Sequence, residues 1–377
     1  MIQEERLINH FMSLVQIDSE TKQEREICDV LKASFAELGL SVEEDASAAV
    51  TGHGAGNLIV KLPANGAQQA DTIFFTCHMD TVTPGKGIKP QLDEDGYIRS
   101  DGTTILGSDD KAGLAAIFEA VRVLKEQQIP HGEVHFIITA GEESGLVGAR
   151  ALDPAKLEAK FGYALDSNGE VGEIAVAAPA QAKIIIKIHG KSAHAGVNPE
   201  KGISAIQVAA KAIARMPLGR IDYETTANIG RFEGGGATNI VTDFAKLEAE
   251  ARSVDAEKLN KQVEAMRAAV DSAVAEFGAR AEFEDVLVYP AYRYQDGDPV
   301  VELAKKAIRA IGAEPVTFHS GGGSDANIFN GLGVPTVNLA IGYEHIHTTK
   351  EQIKAGDLVK TAQLVVELIR QAAAEAK

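Results

Sequence analysis

From about residue 180 to residue 289 this chain stops alternating helix-like and strand-like stretches, and past Pro290 the alternation resumes. Few folds accommodate such a break. A layer that is interrupted and later completed must keep its two parts together, so the middle segment has to form a body of its own. The length agrees, since 377 residues exceed what one hydrophobic core ordinarily organises.

Before the break, apolar runs at 57–62, 72–77, 133–139 and 161–165 read as strands, and the 72–77 run is nearly all apolar, as in a strand covered on both faces. Helical spacing marks 2–16, 22–38 (stopped by Gly39) and, most strongly, 111–128. Strands alternating with helices build an α/β layer with a mostly parallel sheet. Inside the break, residues 183–189 alternate as Lys-Ile-Ile-Ile-Lys-Ile-His, followed by a helix at about 202–216 and strands near 225–232 and 244–252. A second helix at 256–277 and a last strand at 281–289 complete an α+β set. After it, Pro299 opens a helix, 334–340 is an apolar strand and 358–374 is a closing helix. The expected division is therefore a discontinuous α/β domain, 1–179 with 290–377, and an inserted domain, 180–289.

A net charge of −17 repels phosphate backbones, which argues against nucleic acid as a partner. No basic run suits an anionic membrane surface, and no apolar run reaches the roughly 20 residues of a bilayer span. The start, with Glu4, Glu5 and Arg6, has no apolar signal region. Cys28 and Cys77 show no zinc-finger or redox spacing and read as buried, reduced thiols. The cytoplasm is the expected compartment.

Ligand-type residues follow the predicted strands, at the carboxyl ends where open α/β sheets hold ligands. In His78-Met79-Asp80, side chains two apart on extended chain point the same way, so Asp80 can accept a hydrogen bond from the His78 ring; alone, the pair fits a structural role as well. Asp109 and Asp110 precede a predicted helix. Capping accounts for one of them, not for two in a glycine-flanked turn. Glu142 and Glu143 are adjacent carboxylates, which cannot both be buried without a cation or a proton. Neighbours point in different directions, so one can bind a metal while the other faces a water. Asp166 and the stretch Glu344-His345-Ile346-His347 complete five clusters at five strand ends. Such a set suits metal-assisted hydrolysis, in which a cation acidifies water and a carboxylate takes its proton.

These residues resemble those of the dizinc exopeptidases related to peptidase T, the tripeptide aminopeptidase, and of carboxypeptidases and aminoacylases in the same clan. The matching stretches are Thr76-Cys77-His78-Met79-Asp80, Gly107-Ser108-Asp109-Asp110-Lys111-Ala112-Gly113, Thr139-Ala140-Gly141-Glu142-Glu143, Asp166, Ser192-Ala193-His194-Ala195-Gly196, and His347 followed by Glu351. The resemblance implies a zinc-exopeptidase-like catalytic domain of α/β class with an inserted α+β lid and dimerisation domain. It implies that Asp109 bridges two Zn2+ ions, with Co2+ or Mn2+ able to substitute; that His78 and Asp166 complete one site and Glu143 and His347 the other; that Glu142 is the general base serving a metal-bound hydroxide; and that Asp80 orients His78. It further implies a cis peptide at Asp109–Asp110, an oxyanion role for His194, and substrate contacts from Asn239, Arg252 and Gly322. The implied substrate is a short peptide, and the implied assembly a homodimer through the lid. An N-acyl-amino-acid deacylase or a carboxypeptidase of the clan would use the same metal chemistry with another pocket. A non-catalytic peptide-binding protein would have lost a ligand or the base, and each is present.

Overall fold

The structure, a computed structural model, describes residues 1–374 and divides the chain into two compact units. The larger holds residues 1–177, 294–320 and the chain from 324 onward; the smaller holds 178–293 with 321–323. Each has its own hydrophobic core. No helix among the described residues is long and apolar enough to cross a membrane.

In the larger unit, four strands lie parallel at the centre of a sheet, in the order Val134–Thr139, Ile73–His78, Phe161–Ser167, Thr336–Ala340. Val134–Thr139, Ile73–His78 and Thr336–Ala340 are buried along their whole length, which explains why apolar residues predominate in them, with His135 and Thr139, Thr76 and His78, and Thr336 and Asn338 as buried polar exceptions. The margins differ from the expected alternation. Leu58–Leu62 runs antiparallel to Val134–Thr139, and Glu173–Ala178 antiparallel to Thr336–Ala340. Periodicity marks a strand but carries no information about its direction. The helix Ser108–Glu126 is buried on nearly all sides, as its near-continuous small and apolar residues require. It begins before the expected Lys111, but Asp109 and Asp110 depart from helical dihedrals inside its first turn, so regular helix starts where the spacing placed it.

A second, small sheet pairs Tyr343–Glu344 with Gln352–Lys354, then Tyr97–Arg99 and Gln91–Leu92. Its strands are too short to show a sequence period, and so escaped the sequence reading. The hairpin formed by its first two strands carries the loop with His347 and Glu351.

The smaller unit is a five-stranded antiparallel sheet with two helices, Ala205–Arg215 and Ala256–Phe277. In Ala180–His189 burial alternates: Ile184, Ile186 and Ile188 are fully buried, while Lys183 is exposed and Lys187 and His189 partly so. Asp255 caps the long helix, accepting from the N–H groups of Glu257 and Lys258 at 2.8 and 3.0 Å. Gly278, at φ 67°, ends it in the left-handed region that glycine adopts without strain.

One packing contact has a pH signature. The His10 ring sits edge-on to Phe118, 4.9 Å between centroids, with Arg122 3.4 Å from its Nδ1. Burial, assisted by the Arg122 charge, pushes the imidazole down to about 4. The unfolded chain therefore takes up this proton near pH 6.5 while the folded chain does not. Stability falls as pH drops below 6.5 and the loss levels off below 4, reaching about 2 kcal/mol at pH 5. Urea midpoints at pH 7 and pH 5 should show His10→Gln losing correspondingly less than the wild type; equal losses would mean that His10 does not contribute.

Candidate metal centre

Each candidate ligand is placed by a strand end or by the connection following one. His78 ends its strand, Asp166 lies in the last turn of pleat of Phe161–Ser167, and Glu142 and Glu143 occupy the turn after Val134–Thr139. Asp109 stands in the first turn of its helix, and His347 in the small hairpin's loop with φ 62°. Asp109 offers one oxygen to each histidine: Oδ1 is 2.9 Å from His78 Nε2, and Oδ2 is 3.2 Å from His347 Nε2. Asp166 Oδ1 lies 3.8 Å from the same His78 nitrogen, and Glu143 Oε1 lies 3.0 Å from the same His347 nitrogen. Among the described residues, three groups offer ligand atoms within 4.8 Å of one another: His78 with Asp109 and Asp166; Asp109 with Glu143 and His347; and His78 with Glu142 and Glu143.

The supporting contacts come mostly from the main chain. The His78 Nδ1 nitrogen meets the backbone carbonyl of Asp80 at 2.9 Å, whereas the Asp80 carboxylate stands 3.6 Å away. This differs from the expected side-chain contact. The Asp80 carboxylate instead accepts from the N–H groups of Glu142 (3.0 Å) and Glu143 (3.3 Å) and from the Thr21 hydroxyl (2.9 Å). The Asp109–Asp110 peptide is cis. The buried Asp110 carboxylate accepts from the His78 N–H at 3.2 Å. The Tyr343 hydroxyl donates to Asp166 Oδ1 at 3.0 Å, and Asn338 brackets the Asp166 main chain, donating to its carbonyl and accepting from its N–H. Asp325, also buried, accepts from Thr139 Oγ1. Tyr343, Asn338, Thr21 and Asp325 carry no local motif; only the position of Tyr343 just past the last strand hinted at the site.

So many acids in a dry space perturb one another. Burial, reinforced by the Asp166 charge, drives the Glu142 carboxyl well above the usual range. Burial and the Asp109 charge do the same to Asp166. Burial disfavours a charged His78, yet the adjoining Asp109 and Asp80 carboxylates outweigh it and lift the ring well above its ordinary value. Hydrogen bonds to Asp109 and Glu143 lift His347 to about 10. Carboxyls held up by burial and mutual repulsion around two histidines are what divalent cations relieve, and mixed imidazole and carboxylate donors suit a transition-metal ion. The residues fit a pair of such ions.

The smaller unit brings its candidate residues together in pairs. A short bridge joins His194 and Ile240; the Ala195 N–H donates to the Asn239 carbonyl at 2.8 Å, so His194 and Asn239 share one exposed loop cluster. His194 Nδ1 accepts from the Gly196 N–H at 3.2 Å, which leaves Nε2 as the protonated, donating nitrogen. Arg252 spends Nε and Nη2 on Glu250, at 2.8 and 3.1 Å. Its Nη1 faces the glycine loop, where a β-carbon on Gly322 would lie 4.0 Å away; one on Gly323 would fall 2.3 Å from the Tyr289 ring.

The Peptidase family M20/M25/M40 model matches residues 74–371. The aminopeptidase PepT structure from Bacillus cereus is 62% identical with a TM-score of 0.93, covering 99% of each chain. A tripeptidase structure from Staphylococcus aureus is 49% identical with a TM-score of 0.96, covering 99% of this chain and 100% of that one. Peptidase T of Geobacillus sp. (strain WCH70) is 28% identical over 97% of this chain and 98% of its own length. The chain belongs to the M20/M25/M40 peptidase family and is a hydrolase acting on peptides, of the peptidase T-like exopeptidase kind.

Proposed function

We propose that this peptidase removes the N-terminal residue from tripeptides and similarly short peptides with the help of two zinc ions. The observation that carries the reading is the sharing of Asp109: its two carboxylate oxygens face His78 and His347 separately, with Asp166 beside one histidine and Glu143 beside the other. A carboxylate that offers one oxygen to each side in this way would suit a pair of divalent ions. His78 and Asp166 would hold one ion, Glu143 and His347 the other, with Co2+ or Mn2+ able to replace Zn2+.

When bound, the ions polarise the scissile carbonyl and acidify the attacking water. The proton chemistry belongs to Glu142, which shares a ligand group with His78 and Glu143. It takes a proton from the water as the carbon–oxygen bond forms. It returns that proton to the departing amine as the carbon–nitrogen bond breaks. Asp80 keeps Glu142 and Glu143 in place through their N–H groups. His194 donates from Nε2 to the developing oxyanion, acting on a neighbouring subunit if the inserted domains pair as lids in a homodimer. Asn239, Arg252 and Gly322 contact the substrate, with Arg252, whose Nε and Nη2 are engaged by Glu250, offering its Nη1 to the peptide's terminal carboxylate. The likeness to peptidase T supports the cytoplasm as compartment.

Three outcomes test this. Adding Zn2+ to the chelated protein at about 100 times its dissociation constant should raise stability by about 2.7 kcal/mol for each ion bound, read as an upward shift in thermal midpoint; no shift means no ion binds the folded chain. Glu142→Gln should abolish turnover while keeping both ions, counted by elemental analysis; near-normal activity would remove Glu142 as the base. A tripeptide with a free N-terminus should be cleaved to an amino acid and a dipeptide, and its N-acetyl form should not. Preference for acyl-amino acids would make the enzyme a deacylase, and release of the C-terminal residue would make it a carboxypeptidase.

A further inference from the structure

We propose that Glu351 is a positioning residue that sets the spacing between Asp109 and His347, and so builds the metal position on the Glu143 side. The proposal rests on the two-ion reading above. Glu351 is 2% exposed. Its Oε2 accepts from the N–H groups of Leu106 (2.8 Å) and Gly107 (2.9 Å). Its Oε1 accepts from the Ser108 hydroxyl (2.6 Å) and the Asp109 N–H (3.1 Å). One carboxylate thus collects the donors of the whole segment leading into Asp109.

The segment needs such an acceptor. The first N–H groups of a helix lack partners within it, and Gly107, the residue before this helix, has no side chain to cap them. The helix is also irregular at Asp109 and Asp110, and its first turn is held loosely, the Lys111 N–H reaching the Gly107 carbonyl at 3.4 Å. Capping alone could be done by a serine or aspartate at the helix start. Here the acceptor arrives from the loop that carries His347, and His347 meets the Asp109 carboxylate. Asp109 is therefore held at its main chain and at its side chain by residues of one loop.

The two metal positions differ in how they are built. His78 and Asp166 sit on neighbouring strands whose spacing is fixed by parallel pairing, Ile73 opposite Phe161 through Thr76 opposite Ala164. His347 lies in a loop, with its side chain half exposed. For that side, the tie through Glu351 replaces the sheet.

The test is titration of metal-free wild type and Glu351→Gln with Co2+, followed by visible absorption, beside kcat, KM and the thermal midpoint. An amide offers one acceptor oxygen, and its NH2 would face N–H donors, so the tie is broken with little change of shape. The wild type should bind two Co2+. The variant should bind the first as the wild type does and the second ~10–100-fold more weakly, with kcat reduced and KM little changed. A lowered thermal midpoint with both Co2+ bound at wild-type affinity and spectrum would make Glu351 a stabilising residue only and overturn the proposal. Should Glu351→Gln fail to fold, Ser108→Ala removes one of the donors and keeps the carboxylate; unchanged affinity for the second Co2+ in that variant overturns it equally. A wild type that binds no second Co2+ would sink the two-ion reading itself and this proposal with it.

Discussion

Carboxylate oxygens packed at the mouth of a buried parallel sheet repel one another, and an unpaired anion out of water is costly. Asp80, Asp109, Asp110 and Asp325 are all nearly or fully buried here, with Asp166, Glu142 and Glu143 beside them. The fold manages this with main-chain donors more than with cationic side chains. Asp80 rests on the N–H groups of Glu142 and Glu143, Asp110 on that of His78, and Glu351 on those of Leu106, Gly107 and Asp109. Such donors are rigid and bring no competing charge. They hold the acids in place while leaving the oxygens of Asp109, Asp166 and Glu143 facing the two histidines, where only added positive charge completes the balance.

The parts of this arrangement that sequence exposed are those written locally. A strand buried on both faces is mostly apolar, so Ile73–His78 and Val134–Thr139 stand out, and the polar residues His78, at the end of the first, and Glu142, in the turn after the second, mark the sheet's working end. What escaped is written across distance. Glu351 lies far along the chain from Leu106, as Asp325 does from Thr139, and no spacing rule links them. Asp80 shows the limit of a local rule that is otherwise sound. Its side chain does point to the side of the chain that His78 occupies, but the backbone turns after the strand, so the carbonyl meets the ring and the carboxylate goes to the next loop.

The inserted unit obeys simpler physics. Alternation in Ala180–His189 puts Ile184, Ile186 and Ile188 against two helices and leaves Gln181, Lys183, Ile185, Lys187 and His189 on the other face. That open face is laced with ion pairs between neighbouring strands and along them, such as Lys187 with Glu282 and Glu284, and Arg252 with Glu250. Exposed pairs of this kind add little to stability. Their effect is to keep a broad sheet face polar and its long side chains ordered. An arginine already neutralised on one edge by Glu250 can present its remaining Nη1 beside the glycine loop without bringing a full uncompensated charge there.

Two adjacent glutamates can take different tasks only if the main chain between them is fixed, and the structure fixes it from both sides. Beneath, Gly141 at φ 71° passes so close to His53 that a β-carbon would lie 2.5 Å from its Nε2, and His53 in turn reaches Ser144 Oγ at 2.9 Å. Above, the Asp80 carboxylate receives both glutamate N–H groups. Because the carbonyl of that same Asp80 holds the His78 ring, the direction of the proposed base and the direction of a proposed ligand are set by one residue. Displacing Asp80 would therefore shift both together. That coupling accounts for a carboxylate kept fully buried at this position, within reach of other acids, where an uncharged side chain would be easier to bury.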